Sequence, residues 1–185
     1  MLEDKLLIWK FNRRDPQALR RIYEKYKDYL VTLAAGLLIE KQAAEDSVHD
    51  VFVTLIRSAG NFRLTGSLRS YLATCVANNA RNRNKALARH QSVGLEITEP
   101  IASNLLSPDR AAIFGEKLRK VTISLAQLPY DQREVIILRH YSNMKFKKIA
   151  EMQNESINTI QGRYRYGLDK LRSLLNSEVE NGTPK

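Results

Sequence analysis

Apolar residues recur every three or four positions along most of this chain, and almost nowhere at every second position. That spacing gathers them on one side of an α-helix, whereas a half-buried strand would need alternation, so the pattern commits the fold to helices. Leu19, Ile22, Tyr23, Tyr26, Leu30, Leu33 and Leu37 form one stripe. Ala44, Val48, Val51, Phe52, Leu55 and Ile56 form a second, and Leu68, Leu72, Cys75, Val76 and Asn79 a third. Three such stripes can bury one another in a small bundle. Gly60, Asn61 and Gly66 mark a loop ahead of the third helix.

The pattern then stops. Residues 91–106 contain Gly94, Pro100 and Asn104 and read as a linker. Beyond it, Ser107 and Pro108 suit the start of a helix with the stripe Phe114, Leu118, Val121, Leu125 and Leu128, ended by Pro129. Asp131 and Glu134 have capping-box spacing for a helix carrying Val135, Ile136, Ile137 and Leu138. A short helix from Phe146 to Gln153 comes next, and Asn154 suits a left-handed turn. Ser156 then caps a last helix with Ile160, Tyr164, Leu168, Leu171 and Leu175 inward. The expected fold is all-α, in two small helical domains joined by a flexible linker. The expected spans are 1–90, a linker over 91–106, a second domain over 107–176 and a frayed tail over 177–185.

Composition narrows the function. One cysteine, Cys75, excludes an intramolecular disulfide and fits a reducing compartment. Its place on an apolar stripe makes it a core thiol rather than a redox sensor. The longest apolar stretch, Leu30–Ile39, is broken by Thr32 and is about half of what a bilayer span needs. The opening MLEDKLLIWK carries two acids before its short apolar run and does not read as a secretory signal. A cytoplasmic protein with no membrane insertion is expected. Trp9 is expected to pack an N-terminal helix against the bundle.

The chain carries 30 Lys and Arg against 20 Asp and Glu, net +10, and the excess is unevenly placed. Residues 1–90 are net +7, residues 91–112 net −2 and residues 113–185 net +5. No acid occurs from Val51 to Leu95, a stretch that includes Arg81, Arg83, Lys85 and Arg89, while Glu45, Asp46 and Asp50 cluster just before it. One surface is thus suited to phosphates and its neighbour is not. Glu45 and His49 share a helix face, but HExxH is absent and the histidines are scattered, so an acidic surface patch is preferred over a metal site. The chain has no nucleophile–base pair and no phosphate-binding glycine run, so neither an enzyme nor a cofactor is expected.

A short helix, a tight turn and a longer helix make the helix-turn-helix pattern, whose second helix places its N-terminal residues at base edges in the major groove. With Ile160, Tyr164 and Leu168 inward, the outer face carries Asn158, Gln161, Gly162 and Arg165, with Arg163 at its side. Gln can pair bidentately with adenine and Arg with guanine. Lys145, Lys147 and Lys148 precede this helix and can neutralise phosphates.

At this point the residues resemble a family: bacterial RNA polymerase sigma factors of the extracytoplasmic-function (ECF) type, within the sigma-70 family. The segment DPQALRRIYEKYKDYLVTLAAGLL is similar to region 2.1 and AAEDSVHDVFVTLIRS to region 2.2. SLRSYLATCVANNARNRNKALAR is similar to region 2.3 running into 2.4, with Tyr71 at a usual Trp and Asn78 at a recurrent Asn. The stretch from Leu125 to Leu175 is similar to region 4, including LPxxxREV and the S-x-x-T start of the recognition helix.

The resemblance implies a transcription initiation factor that binds RNA polymerase core and directs promoter recognition and melting. Core contacts would fall on Glu45, Asp46, His49, Asp50 and Phe52 against the β′ clamp helices, with the β flap as a second docking point. Minus-10 contacts would fall on Asn61, Arg63, Tyr71, Asn78, Arg81, Asn82 and Arg83. Tyr71 either stacks on an unpaired base or packs the core, and both readings stand here. Minus-35 contacts would fall on Lys147, Ser156, Asn158, Thr159, Gln161, Arg163 and Arg165. An anti-sigma factor is a further expected partner. The alternative is a free-standing helix-turn-helix regulator with an N-terminal dimerisation or sensing bundle. Several residues depart from the family pattern: Thr74 and Ala77 replace basic residues, Glu155 an apolar turn residue, and Gln161–Gly162 a basic–Ser pair. Gly162 and Gly167 sit inside a helix, where Gly costs about 1 kcal/mol relative to Ala.

Overall fold

The computed structural model of the chain describes residues 2–38, 40–64, 66–91 and 120–181, and among these every regular element is a helix. The chain divides into two compact units, Met1–Thr98 and Glu99–Lys185. No helix of the described residues is long and apolar enough to cross a membrane. The expected linker from residue 92 onward and the expected helix start at Ser107 and Pro108 lie outside the described residues.

The first unit holds α1 (Leu2–Asn12), α2 (Pro16–Leu38), α3 (Lys41–Arg57) and α4 (Leu68–Gln91). Asp15 opens α2 by accepting the Gln17 N–H at 2.8 Å, and Pro16 takes the first helical position, where its missing N–H is harmless. Ser67 opens α4 in the same way, accepting from the Ser70 N–H at 3.2 Å. The long helix α2 is central, packed on α1, α3 and α4. Ile22, Leu30, Leu33 and Leu37 of α2, Leu55 of α3, and Leu68, Leu72 and Val76 of α4 are fully buried. At the C-terminal end of α2, Asn84 of α4 donates to the Leu37 carbonyl at 3.4 Å.

Three expected core residues turn outward, Tyr23 at 39% exposure among them. Ile56 is exposed, and Trp9 is 50% exposed with the Arg13 guanidinium 3.8 Å above its ring. Leu7, Ile8 and Phe11 do the packing of α1 instead. Polar groups fasten the same helix: Lys25 donates to Glu3 at 2.6 Å and to Asp4 at 2.8 Å, and the Tyr26 hydroxyl donates to Asp4 at 2.9 Å. Burial alone would raise the Asp4 carboxyl, but the bonds from Lys25 and Tyr26 outweigh it and hold the group below its ordinary value. Burial and the Asp4 bond push Tyr26 up to about 12. A depressed carboxyl stabilises the fold above its unfolded pKa and stops doing so as pH falls through the folded one. Asp4→Asn is therefore expected to cost about 1 kcal/mol at neutral pH. In urea denaturation the gap to wild type should close below about pH 4. A gap independent of pH would assign the effect to packing.

The second unit holds α5 (its described part, residues 120–126), α6 (Tyr130–His140), α7 (Phe146–Gln153) and α8 (Ile157–Asn181). Val135 and Leu138 of α6, Ile149 of α7 and Ile160 of α8 form the centre of its core. The helix α8 continues through Asn181, past Ser177, where fraying was expected. The capping box does not form. Pro129 occupies the cap position of α6, Asp131 lies in its first turn, and Glu134 is turned into the core at 1% exposure.

Candidate nucleic-acid interface

In the first unit the loop after α3 and the outer face of α4 form one surface. Gly60 adopts φ +101°, a conformation that L side chains rarely take, and lets the chain turn at the end of α3. Asn12 of α1 then fastens the loop. Its Nδ2 donates to the Phe62 carbonyl at 2.8 Å, and its Oδ1 accepts from the Gly60 and Phe62 N–H groups at 3.3 and 3.1 Å. Phe62 is buried, edge-on to Phe11 (centroids 6.2 Å apart) and to Tyr71 (4.9 Å). Asn61 and Arg63, on either side of it, stay exposed. Sequence reasoning missed both Asn12 and Phe62, because nothing near Asn12 in the chain indicates a partner about fifty residues away.

Tyr71, Asn78 and Asn82 follow at intervals of seven and four and share one face of α4, with Arg81 at its border. Arg81 donates to Asn78 Oδ1 at 3.1 Å. Tyr71 is half-buried and packs on Phe62. Burial and the adjacent Cys75 push its hydroxyl up to about 12, so it stays a neutral donor. Burial raises the Cys75 thiol as well, against a smaller opposing effect of its bond to Tyr71. That is the opposite of an activated thiolate. Ala77 is fully buried and Thr74 donates to the Ser70 carbonyl at 2.8 Å, so neither departure from the family pattern leaves a gap in the face.

Two of the expected contact residues have partners inside the first unit. Phe52 was placed with the core-binding residues, but it is 4% exposed and packs on Tyr23 with centroids 4.9 Å apart. It supports α3 from beneath, while Glu45, Asp46, His49 and Asp50 remain on the surface. Arg83, placed with the minus-10 residues, lies about 100° round the helix from Asn82. It reaches α3, donating from Nη2 to Asp50 Oδ2 at 2.8 Å and from Nε to Asn79 Oδ1 at 3.0 Å.

In the second unit the turn forms as expected. Asn154 takes φ 54°, ψ 46°, and the Glu155 N–H donates to the Ala150 carbonyl at 3.0 Å, closing α7. Ser156 Oγ accepts from the Thr159 N–H at 3.0 Å and lies 2.8 Å from the Thr159 hydroxyl. Both residues thus build the start of α8. Asn158, Gln161 and Arg165 are exposed on one face, with Lys147 exposed on α7.

Arg163, expected among the minus-35 contacts, also has partners inside its unit. It turns away from that face and binds the helices behind it. Nη1 donates to Gln153 Oε1 at 2.8 Å, and Nη2 lies 2.8 Å from Glu155 and 3.3 Å from Asp131. Gln153 Nε2 in turn donates to the buried Glu134 at 2.9 Å. This polar chain fixes α8 against α6 and α7, and it explains the acidic Glu155 in a turn that usually carries an apolar residue. Gln153 is a third residue that sequence reasoning missed.

The two helix-interior glycines differ. A Cβ at Gly167 would meet Ile136 Cδ1 at 2.9 Å and Gln132 Cβ at 3.0 Å, so α8 lies close against α6 at this position. A Cβ at Gly162 would meet nothing within 4 Å. Gly162→Ala is expected to raise stability by up to about 1 kcal/mol. Gly167→Ala should lower it by about 1–2 kcal/mol, overpacking outweighing propensity. Thermal unfolding of the two variants checks the signs.

These surfaces define an all-helical nucleic-acid-binding protein with a helix-turn-helix in its second unit. The model for Sigma-70 region 2 matches residues 22–90 and that for Sigma-70 region 4 matches residues 124–173, together more than half of the chain. The RNA polymerase sigma-H factor of Pseudomonas aeruginosa is 26% identical over 169 residues, covering 87% of this chain and 88% of that one. The ECF RNA polymerase sigma factor SigX of Bacillus subtilis is 25% identical over 170 residues, covering 88% of each. The sigma factor RpoE of Bartonella quintana, solved with the anti-sigma factor NepR, shares the fold with a TM-score of 0.69. It is 24% identical, over 85% of this chain and 96% of that one. CnrH, solved with the cytosolic domain of CnrY, has a TM-score of 0.64 at 21% identity, over 95% and 98% of the two chains. The chain belongs to the sigma-70 family, as an ECF-type RNA polymerase sigma factor. It is a polymerase-binding promoter-specificity factor, and the free-standing regulator is not favoured.

Proposed function

We propose that the first unit docks on core polymerase through the exposed Glu45, Asp46, His49 and Asp50 of α3, and that it captures the minus-10 strand along α4. The ordered fall of the two family models on the two units carries this reading. Carboxylates on α3 complement a basic partner surface, which mainly speeds encounter and sets register. Asn61, Arg63, Tyr71, Asn78, Arg81 and Asn82 line the path of the strand. The half-buried Tyr71 is the aromatic that stacks on an unpaired base and offsets the cost of unpairing it. In the second unit Asn158, Gln161 and Arg165 read base edges of the minus-35 element, and Lys147 holds a phosphate.

The factor works in the cytoplasm, has no catalytic reaction of its own and is held by an anti-sigma factor when idle. The last point is supported by two structural neighbours solved as complexes, one of them with an anti-sigma factor by name. The test is pull-down with purified core polymerase followed by run-off transcription from promoters selected out of a random library. Binding to core with promoter-dependent transcripts is expected. Tight, specific duplex binding without core, together with no binding to core, would overturn the reading.

A further inference from the structure

We propose that Arg83 is an internal competitor for Asp50, so that polymerase binding and promoter binding favour one another through a single ion pair. The inference rests on the reading of α3 as the polymerase face and α4 as the strand-binding helix.

The pair joins one residue from each surface. Asp50 lies on the exposed acidic face of α3, and the partners of its neighbours lie on α3 itself: Asp46 accepts from Gln42 and Glu45 lies 4.0 Å from Lys41. Among the described residues, Asp50 alone of these acids is held from α4, by Arg83 Nη2 at 2.8 Å. The guanidinium is further fixed by Asn79, which accepts from Nε at 3.0 Å. Both charged groups reach solvent, Asp50 with 51% and Arg83 with 33% of its side chain exposed, so either can be approached from outside.

A carboxylate already bonded to an arginine offers less to an incoming cation. A basic surface docking on α3 must share or displace Arg83. Displaced, the guanidinium regains a donor fork on the helix along which the promoter strand runs, a geometry suited to phosphate. Coupling of this kind is reciprocal: whatever factor polymerase contributes to promoter affinity through the pair, promoter contributes to polymerase affinity. An exposed pair shifts an equilibrium by only about two- to five-fold.

The test uses the full chain and purified core polymerase. Arg83→Gln is expected to bind core about two- to five-fold more tightly in the absence of DNA. The same variant as holoenzyme should bind a forked template, bearing a promoter selected with wild type, several-fold more weakly. Neither a structural role nor a plain DNA contact produces those opposite signs. Asp50→Asn should weaken core binding, and adding Arg83→Gln to it should leave core affinity where Asp50→Asn put it. Unchanged or weaker core binding by Arg83→Gln overturns the proposal, as does a gain that persists in the Asp50→Asn background. Template binding equal to wild type removes the DNA half. Arg83→Lys, which keeps the charge without the fork, should fall between the two. A wild-type chain that fails to bind core at all would instead strike the reading of the chain as a sigma factor.

Discussion

Replacing Arg163 with alanine is expected to lower the stability of the second unit by about 2 kcal/mol and to weaken minus-35 binding for every sequence alike. Charged hydrogen bonds contribute about 1.5–3 kcal/mol each, but the side chain is 24% exposed and solvent recovers part of the loss. The substitution strands Gln153, whose other end is bonded to the buried Glu134, and leaves Glu155 and Asp131 without the cation between them. The helix that reads DNA then loses its fixed angle to α6 and α7. Arg163→Lys should not restore it, because one ammonium cannot reproduce a fork serving Gln153 and two carboxylates. Urea denaturation gives the stability change and promoter selection gives the preference. Wild-type stability with preference lost at a single base pair would return Arg163 to the base-reading set.

Arg165→Ala should behave in the opposite way. Its side chain is exposed on the outer face of α8, with its guanidinium 5.2 Å from the Tyr166 ring centroid, so folding loses little. Stability should stay within about 0.5 kcal/mol of wild type. Discrimination at one base pair of the minus-35 element should fall by about 1–3 kcal/mol, the worth of one bidentate contact. Selection from a randomised element with the variant holoenzyme reads this directly. A loss spread evenly over all positions, with a shallower salt dependence, would reassign Arg165 to phosphate.

Local features were legible in the chain. The short helix from Phe146 to Gln153, the left-handed Asn154 and the Ser156 cap are each decided within a few residues, and each forms as read. The capping box at Asp131 and Glu134 failed for a reason outside its own four residues. Glu134 bonds to Gln153 on another helix, a partner that spacing along one helix cannot reveal. Phe52 and Ile56 share one apolar stripe, yet one is buried and the other exposed, because a stripe is wider than the contact α3 makes with its neighbours.

By itself the sequence determined that the chain is all-helical, where the turn and caps of the helix-turn-helix fall, and which family it belongs to. Those follow from periodicity and from bonds that close within one helical turn. Tertiary structure alone decided which arginine holds the fold and which stays exposed. Arg163 and Arg165 lie two residues apart on one helix, so their side chains leave it about 200° apart. Only the position of α6 and α7 behind α8 makes one of them a strut and leaves the other exposed to solvent. The same holds for Arg83. Its charge was plain in the chain, but its partner Asp50, 33 residues earlier, becomes a neighbour only once α3 and α4 pack.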